Sequence, residues 1–465
     1  MREPAAANFA AIAALCGFAL AAFAPQIFND GDTWWHLAAG NWMLAHQAVP
    51  TRDVFSYSFA GQPWTAHEWL AEVLMALSFR AASWNGLHIL FGLAFGGTAL
   101  IVAYALRRRL DFTPALLATV LGLACVSESL LARPHLLALP LLALWTACLV
   151  EARERDRAPP LWLAAAMLVW ANLHGSFALG LALAAALGVE AIIAGGDKKA
   201  IARQWCVFLG ASVLAALITP QGLDGLLFPF RLLLMPGLAG VGEWAPSDVT
   251  HLSPFTIALL AMLLVLAMGK VRLPVARAAL MIALIYLALS HTRHAMLFGI
   301  AAPLLAAPAM AAAWPAKTEH SRSLAVPAMA LAAALLLGRL VFPAERGEDK
   351  VSPVASLAAV PKSLRHEPVL NAYDYGGYLI FNDVKVFIDG RTDMYATEFL
   401  NQDDRLNAGD SDAIAKALSR YRIAWTIFPA GSPTVAALDR LPGWHRLHSD
   451  TNAVVHVKDQ PPPPG

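Results

Sequence analysis

The stretch NDGDTWWHLAAGNWMLAHQAVPTRDVFSYSFAGQPWTAHEWL, residues 29–70, sets Asp30, Asp32, His36, His67 and Glu68 among Trp34, Trp35, Trp42, Trp64 and Trp69. It follows directly on an apolar segment at 9–27 that is long enough to cross a bilayer. Tryptophans and amphipathic turns are at home at the level of the lipid headgroups. The stretch therefore reads as a loop on a membrane face that holds an acidic site.

The rest of the chain is in keeping with that setting. Of 465 residues, 58% are hydrophobic and 14% charged, more apolar sequence than a soluble core accommodates. Apolar runs lie at 9–27, 85–106, 114–126, 134–150, 161–173, 177–193, 205–218, 255–268, 276–289, 294–313 and 324–341. They predict an all-α polytopic membrane domain of about eleven transmembrane helices over 1–342, with an outer loop at 28–84. The first run lacks the small-residue cleavage site of a signal peptide and is read as a retained span. A net charge of +1 with no concentrated basic patch sets nucleic acid aside as a partner. Cys16, Cys125, Cys148 and Cys206 show no CxxC spacing and read as small core residues. Neither a GxGxxG nor a P-loop is present to support a nucleotide-driven mechanism.

Orientation follows from the cations. Arg2, Arg107 to Arg109, Arg153, Arg155, Arg157, Lys198, Lys199, Arg203, Lys270, Arg272, Arg277, Lys317 and Arg322 fall on one side of an eleven-span arrangement. By the positive-inside rule that side is cytoplasmic. The N-terminus is then cytoplasmic, and the 29–70 loop and everything after 342 face outward. From 344 onward the composition is that of a soluble domain, a small α/β layer over 343–459. Helices are predicted at 354–365, 397–406, 412–420 and 434–441, and strands at 369–372, 378–381, 384–389, 424–428, 444–449 and 453–458. The tail QPPPPG, 460–465, reads as disordered or polyproline-like.

The outward loops carry the polar groups that an apolar bundle excludes. They include Arg133-Pro134-His135, Asn172-Leu173-His174-Gly175, Thr219-Pro220-Gln221-Gly222, Glu243-Trp244 and His291-Thr292-Arg293-His294. Ionisable residues at membrane depth tend to line functional pathways, so these are expected to converge on one cavity.

Here the residues carry a resemblance. Asp32, followed by Trp35-His36, Ala39, Met43 and Leu44, resembles the first outer loop of the C-type (GT-C) membrane glycosyltransferases. Gly61-Gln62-Pro63-Trp64 leading to His67-Glu68-Trp69-Leu70 is similar to the same loop in protein O-mannosyltransferase and lipid A aminoarabinose transferase relatives. The later loop motifs, with Tyr375-Gly376-Gly377-Tyr378-Leu379 and Phe387-Ile388-Asp389-Gly390-Arg391, resemble a bacterial branch of that superfamily whose activities are mostly undetermined. The resemblance implies transfer of a sugar from a polyprenyl-phosphate donor to a glycan, lipid or protein acceptor, at the outer face of a bacterial cytoplasmic membrane.

The residues suit that chemistry. An acceptor hydroxyl needs a base, and Asp32 is the carboxylate expected to supply it. A lipid phosphate is a competent leaving anion that needs cations to hold its charge, and Arg293 with His294, and Arg133 with His135, are candidates for that clamp. Glu68 and His67 are placed to orient the acceptor or to bind a divalent cation. Asn29-Asp30-Gly31-Asp32 is only a loose DxD and relatives differ in metal use, so metal dependence stays open. Asp30, His36 and His174 complete the candidate set.

Each of these has a plainer reading. Asp30 can be a helix cap or turn residue, Glu68 a helix start, His174-Gly175 a tight turn, and Arg293-His294 a headgroup anchor. The tryptophans fit an interfacial belt better than a sugar-stacking platform. Asp389 to Asp393 reads as structural, with Arg391 pairing to Asp374 or Asp393. A lipid-linked transporter or flippase would show broken helices and polar groups near mid-bilayer, and a non-catalytic outer-face scaffold would use the C-terminal domain as its binding module. A hydrolase of the same lipid differs from a transferase only in its acceptor, water.

Overall fold

The computed structural model describes residues 3–235, 242–316 and 323–459. Arg2, Lys317, Arg322 and the proline-rich tail lie outside the described residues. Every apolar run of the sequence falls in a helix: α1 (Glu3–Phe23), α3 (Trp69–Arg107), α4 (Phe112–Ala124), α5 (Pro134–Glu154), α6 (Leu163–Leu173), α7 (Phe177–Ala194), α8 (Lys198–Ala216), α10 (Pro254–Ala267), α11 (Val275–Ser290), α12 (Ala295–Ala313) and α13 (Ala325–Val341). Between them, α2 (Asp32–His46) and α9 (Leu223–Leu233) belong to the loops. Six helical stretches among the described residues are long and apolar enough to cross a membrane, and α6, α10, α11 and α13 are shorter apolar helices.

Local chemistry sets several boundaries. Ser253 caps α10 by accepting from Thr256 N, with Pro254 in the first turn, and Asp197 caps α8 through Ala200 N. The span expected at 85–106 is the second part of α3, whose helical geometry breaks at Ala82 and Ser83. Glycines let the bundle close. A Cβ on Gly122 would meet the Gly299 carbonyl at 2.4 Å and the reverse holds for Gly299, so α4 and α12 cross backbone to backbone.

At one end of the bundle the basic helix termini are tied together. Arg277 grips both Glu190 oxygens (2.9 and 3.1 Å) and Glu154, while Arg109 and Arg155 both pair with Glu151. At the other end the polar loops meet. Trp69 Nε1 donates to Asn172 Oδ1 (2.7 Å), Gln221 Nε2 to the Ala66 carbonyl (3.0 Å), and Thr292 N to the Ala245 carbonyl (3.0 Å).

The C-terminal part carries α14 (Val354–Ala359), α15 (Gly376–Phe381), α16 (Thr397–Asn407), α17 (Ser411–Arg420) and α18 (Pro433–Leu438) around a four-stranded sheet. The strands are β1 (Val369–Asn371), β2 (Trp425–Pro429), β3 (Trp444–Ser449) and β4 (Ala453–Lys458), in the order β1-β2-β4-β3. β1 runs parallel to β2, and the other pairs are antiparallel.

Three expectations are corrected. The strand expected at 378–381 is helix α15, because Gly376 and Gly377 bring its first turn hard against the chain: a Cβ at Gly377 would lie 2.2 Å from the Gly31 carbonyl. The strand expected at 384–389 joins no sheet. It is a largely buried run that meets the 29–70 loop at one isolated bridge, Ser56 to Val386, with Ser58 Oγ donating to the Phe387 carbonyl (2.6 Å) beside it. The helix expected at 354–365 stops at Ala359, since Val360 precedes Pro361 and takes the extended conformation that proline imposes.

The tryptophan belt is also corrected. Trp34, Trp35 and Trp64 are buried in protein, because the C-terminal part covers the loop: Trp34 Nε1 donates to Ser352 Oγ (2.9 Å), and its ring packs on Tyr378 and Phe381. Cys125 is buried as expected, but Cys16 and Cys206 are exposed on helix surfaces, not in the core.

Candidate active site

Separate parts of the chain deliver the charged groups to one cleft, starting with Arg133. It precedes Pro134 and is therefore extended (φ −126°, ψ 160°), so the chain turns there from loop to α5 and aims the guanidinium away from the helix. The loop behind it is pinned by Ala132 N donating to the Ile27 carbonyl (2.8 Å). Arg133 Nε and Nη2 donate to the two oxygens of Asp30, both at 2.6 Å, and Nη1 donates to Glu243 Oε2 (2.8 Å). Nη1 also lies 3.1 Å from Asp32 Oδ2. Arg293 Nη1 donates to the other Glu243 oxygen (2.8 Å), and its guanidinium sits over the Trp244 ring (4.5 Å).

Asp32, at the first position of α2, lines the cleft with Glu68, Arg133, Glu243 and Arg293. Burial pushes Asp32 up to about 7; Asp30 and Glu243 add to the rise and Arg133 opposes it. Burial likewise lifts Glu68 to about 7, against Arg293 and Arg133. Burial also works against the charge of Glu243, yet Arg293 and Arg133 together hold it down to about 2. Neighbouring carboxylates are thus driven apart, one anion fixed between two arginines and two acids poised near neutrality, a pattern typical of acid–base sites.

Histidines line the same cleft. His174 is extended between α6 and α7, and its Nδ1 accepts from Ser176 N (3.1 Å). That leaves Nε2–H facing Glu68 Oε1 at 3.5 Å. His67 donates from Nδ1 to the Thr65 carbonyl (3.2 Å) and turns Nε2 to the same Glu68 oxygen at 3.7 Å. His135 donates from Nε2 to the Ser129 carbonyl (2.7 Å). His36 meets Glu72 Oε1 at 3.1 Å, and both line the cleft. Burial lowers His36, His67 and His174 below the ordinary imidazole value, so they face the cleft as neutral hydrogen-bonding groups.

Two expected residues do not line the cleft. Asp30 lies behind Arg133, where one of its oxygens also accepts from Asp32 N (3.2 Å), so it serves the turn and the ion pair together. His294 packs edge-on against Trp244 and His291.

Residues that sequence reasoning missed complete the site. Gly390, Thr392 and Asp393 of the C-terminal part line the cleft, and an ideal Cβ on Gly390 would sit 1.8 Å from Asp32 Oδ1. Arg391 between them is structural, as expected, but its partners are Asp389 and Asp53 (2.6–2.8 Å), not Asp374 or Asp393. Glu243 stood out only as part of a polar loop. Glu72 had a usable signal, since it lies one helical turn beyond Glu68 on the same face.

A divalent cation does not fit this donor set. Both Asp30 oxygens, one Asp32 oxygen and both Glu243 oxygens already face guanidinium nitrogens. Among the described residues, no group of three or more His, Cys, Asp or Glu side chains is disposed to hold a metal ion.

Two solved structures from Archaeoglobus fulgidus are similar to this chain in fold. One, the oligosaccharyltransferase in apo form, aligns over 90% of this chain and 69% of its own, at 12% identity and a TM-score of 0.52. The other, the oligosaccharyltransferase AglB in complex with an inhibitory peptide and a dolichol-phosphate, aligns over 97% of this chain and 74% of its own, at 13% identity and a TM-score of 0.54. The fold of this chain is similar to that of these two structures. No family model and no curated protein matches the sequence. The likeness thus rests on the path of the chain, and the alignment to AglB takes in nearly all of it.

Proposed function

We propose that this chain is a membrane glycosyltransferase that moves a sugar from a polyprenyl-phosphate donor to an acceptor hydroxyl at the outer face of a bacterial cytoplasmic membrane. The observation that carries the reading is the placement of Asp32, a carboxylate held near neutrality, in one cleft with Glu68 and Arg293 within a GT-C-like fold. The acceptor oxygen attacks the anomeric carbon and Asp32 takes its proton. The bond from that carbon to the phosphate oxygen breaks, and the lipid phosphate leaves as an anion. Arg293 at the cleft wall is the cation offered to that phosphate. Glu68, set between His174 and His67, orients the acceptor hydroxyl. Arg133, engaged by three carboxylates, positions Asp32 and is not itself the phosphate clamp.

The eleven-span arrangement, the cytoplasmic N-terminus and an extracytoplasmic 343–459 domain belong to the same proposal. They are supported by the gathering of basic helix ends opposite the cleft. The test is to incubate purified protein with a panel of polyprenyl-phosphate sugars and candidate acceptors and to follow donor consumption. A glycosylated acceptor is the expected product. Free sugar would identify a hydrolase instead, and no donor consumed anywhere in the panel would leave the proposal without its reaction.

A further inference from the structure

We propose that Arg133 occupies the position a divalent cation would take in this cleft, so that the site assembles around a fixed guanidinium and works without a metal. The proposal deepens the transferase reading and rests on it for the chemistry, but the binding it concerns can be measured with no donor present.

Carboxylates from separate parts of the chain close around one guanidinium, Asp30 on its Nε and Nη2 edge and Asp32 and Glu243 on Nη1. Asp30 and Asp32 come from the first outer loop and Glu243 from the loop before α10, and all three meet the same guanidinium at 2.6 to 3.1 Å. Left without a cation, three clustered carboxylates repel one another, and hard oxygen donors of this kind are what a small divalent ion collects. Arg133 meets the same need from within the chain. Its planar fork satisfies Asp30 through two parallel hydrogen bonds, a geometry that no point charge reproduces.

The guanidinium is also built in place. Pro134 fixes the extended backbone of Arg133, and Thr33 Oγ1 donates to the Ala132 carbonyl (3.3 Å), so the loop that carries the cation is fastened to the helix that carries Asp32. One charge cannot balance three. The second cation is Arg293, on the other side of Glu243 and, like Arg133, in the lining of the cleft; it meets one carboxylate where Arg133 meets three, and is the arginine assigned to the leaving phosphate. The division of labour that follows gives Arg133 the acidic residues and Arg293 the substrate anion.

The test is a Mn2+ titration of the full-length protein in detergent, read by electron paramagnetic resonance and by thermal stability. The diagnostic is Mn2+ binding that Asp32→Asn removes. The wild type is expected to show none up to about millimolar Mn2+, the weak end of carboxylate cation sites. Arg133→Met removes the charge while keeping the stem, and it is expected to gain Mn2+ binding that Asp32→Asn abolishes in the double variant, with its melting temperature rising on Mn2+ addition. Asp32-sensitive Mn2+ binding by the wild type overturns the proposal. So does an Arg133→Met protein that folds and binds no Mn2+, because the carboxylates would then not form a cation site at all. If Arg133→Met does not fold, the wild-type titration decides alone. A failed donor panel would count against the transferase reading and leave this result standing.

Discussion

Substituting Gly390 by alanine places one methyl group against the reacting carboxylate. An ideal Cβ at Gly390 lies 1.8 Å from Asp32 Oδ1 and 2.7 Å from its Cγ, and Cβ atoms come no nearer than 3.0 Å to such neighbours. The segment and the carboxylate must therefore separate by about 1.2 Å, the 3.0 Å limit less the 1.8 Å present. A displacement of about 1 Å in a catalytic group costs roughly a hundredfold in rate, whereas overpacking of this size costs about 1–3 kcal/mol in stability. The expected variant folds, melts a few degrees below wild type, and turns over a polyprenyl-phosphate sugar about a hundredfold more slowly. Gly431→Ala is the control, since a Cβ there meets nothing within 4 Å. A folded Gly390→Ala protein with wild-type turnover would refute the reasoning, because Asp32 would then not need the position in which the C-terminal part holds it.

Three further outcomes are expected. With Asp32 and Glu68 both raised to about 7 by burial, turnover should climb with pH and reach half its maximum near pH 7. Stability should run the other way: a carboxyl raised in the folded state contributes stability that is complete below its unfolded value and is lost as pH rises through about 7. A turnover profile that is flat from about pH 5 to pH 8 would remove Asp32 as the base. Arg391→Met leaves the buried carboxylates of Asp389 and Asp53 without their cation, a loss of about 3–5 kcal/mol. It should lower the apparent melting temperature far more than Arg420→Met, which removes only a stacking contact with Tyr421.

The bundle was legible because its signal is local. A long apolar run in a chain with few charges has little choice but to form a helix, and each of the eleven runs does so. The strands Trp444–Ser449 and Ala453–Lys458 were legible for the same reason, as β-rich runs separated by a turn. What failed was what depends on distant partners. Tyr378 to Phe381 has the composition of a strand, yet the two glycines before it are used for close approach to Gly31, which only the fold reveals. The buried tryptophans read as a lipid belt because nothing in their own sequence announces that residues 300 positions later cover them.

The site was legible in its first half. Asp32, Glu68, His67, His174, Arg133 and Arg293 are found together as expected. The pairing of Arg133 with Asp30 and Glu243 was not, because an arginine in a loop carries no mark of whether its partner is a substrate or its own chain.

The most direct measurement compares lipid-phosphate release by wild type and Asp32→Asn under single-turnover conditions, with donor binding measured in parallel. Asp32→Asn should bind donor as wild type does and release lipid phosphate roughly a hundred to ten thousand times more slowly, the range for loss of a general base. Equal release rates from the two proteins would contradict the assignment of Asp32 as the base in this cleft.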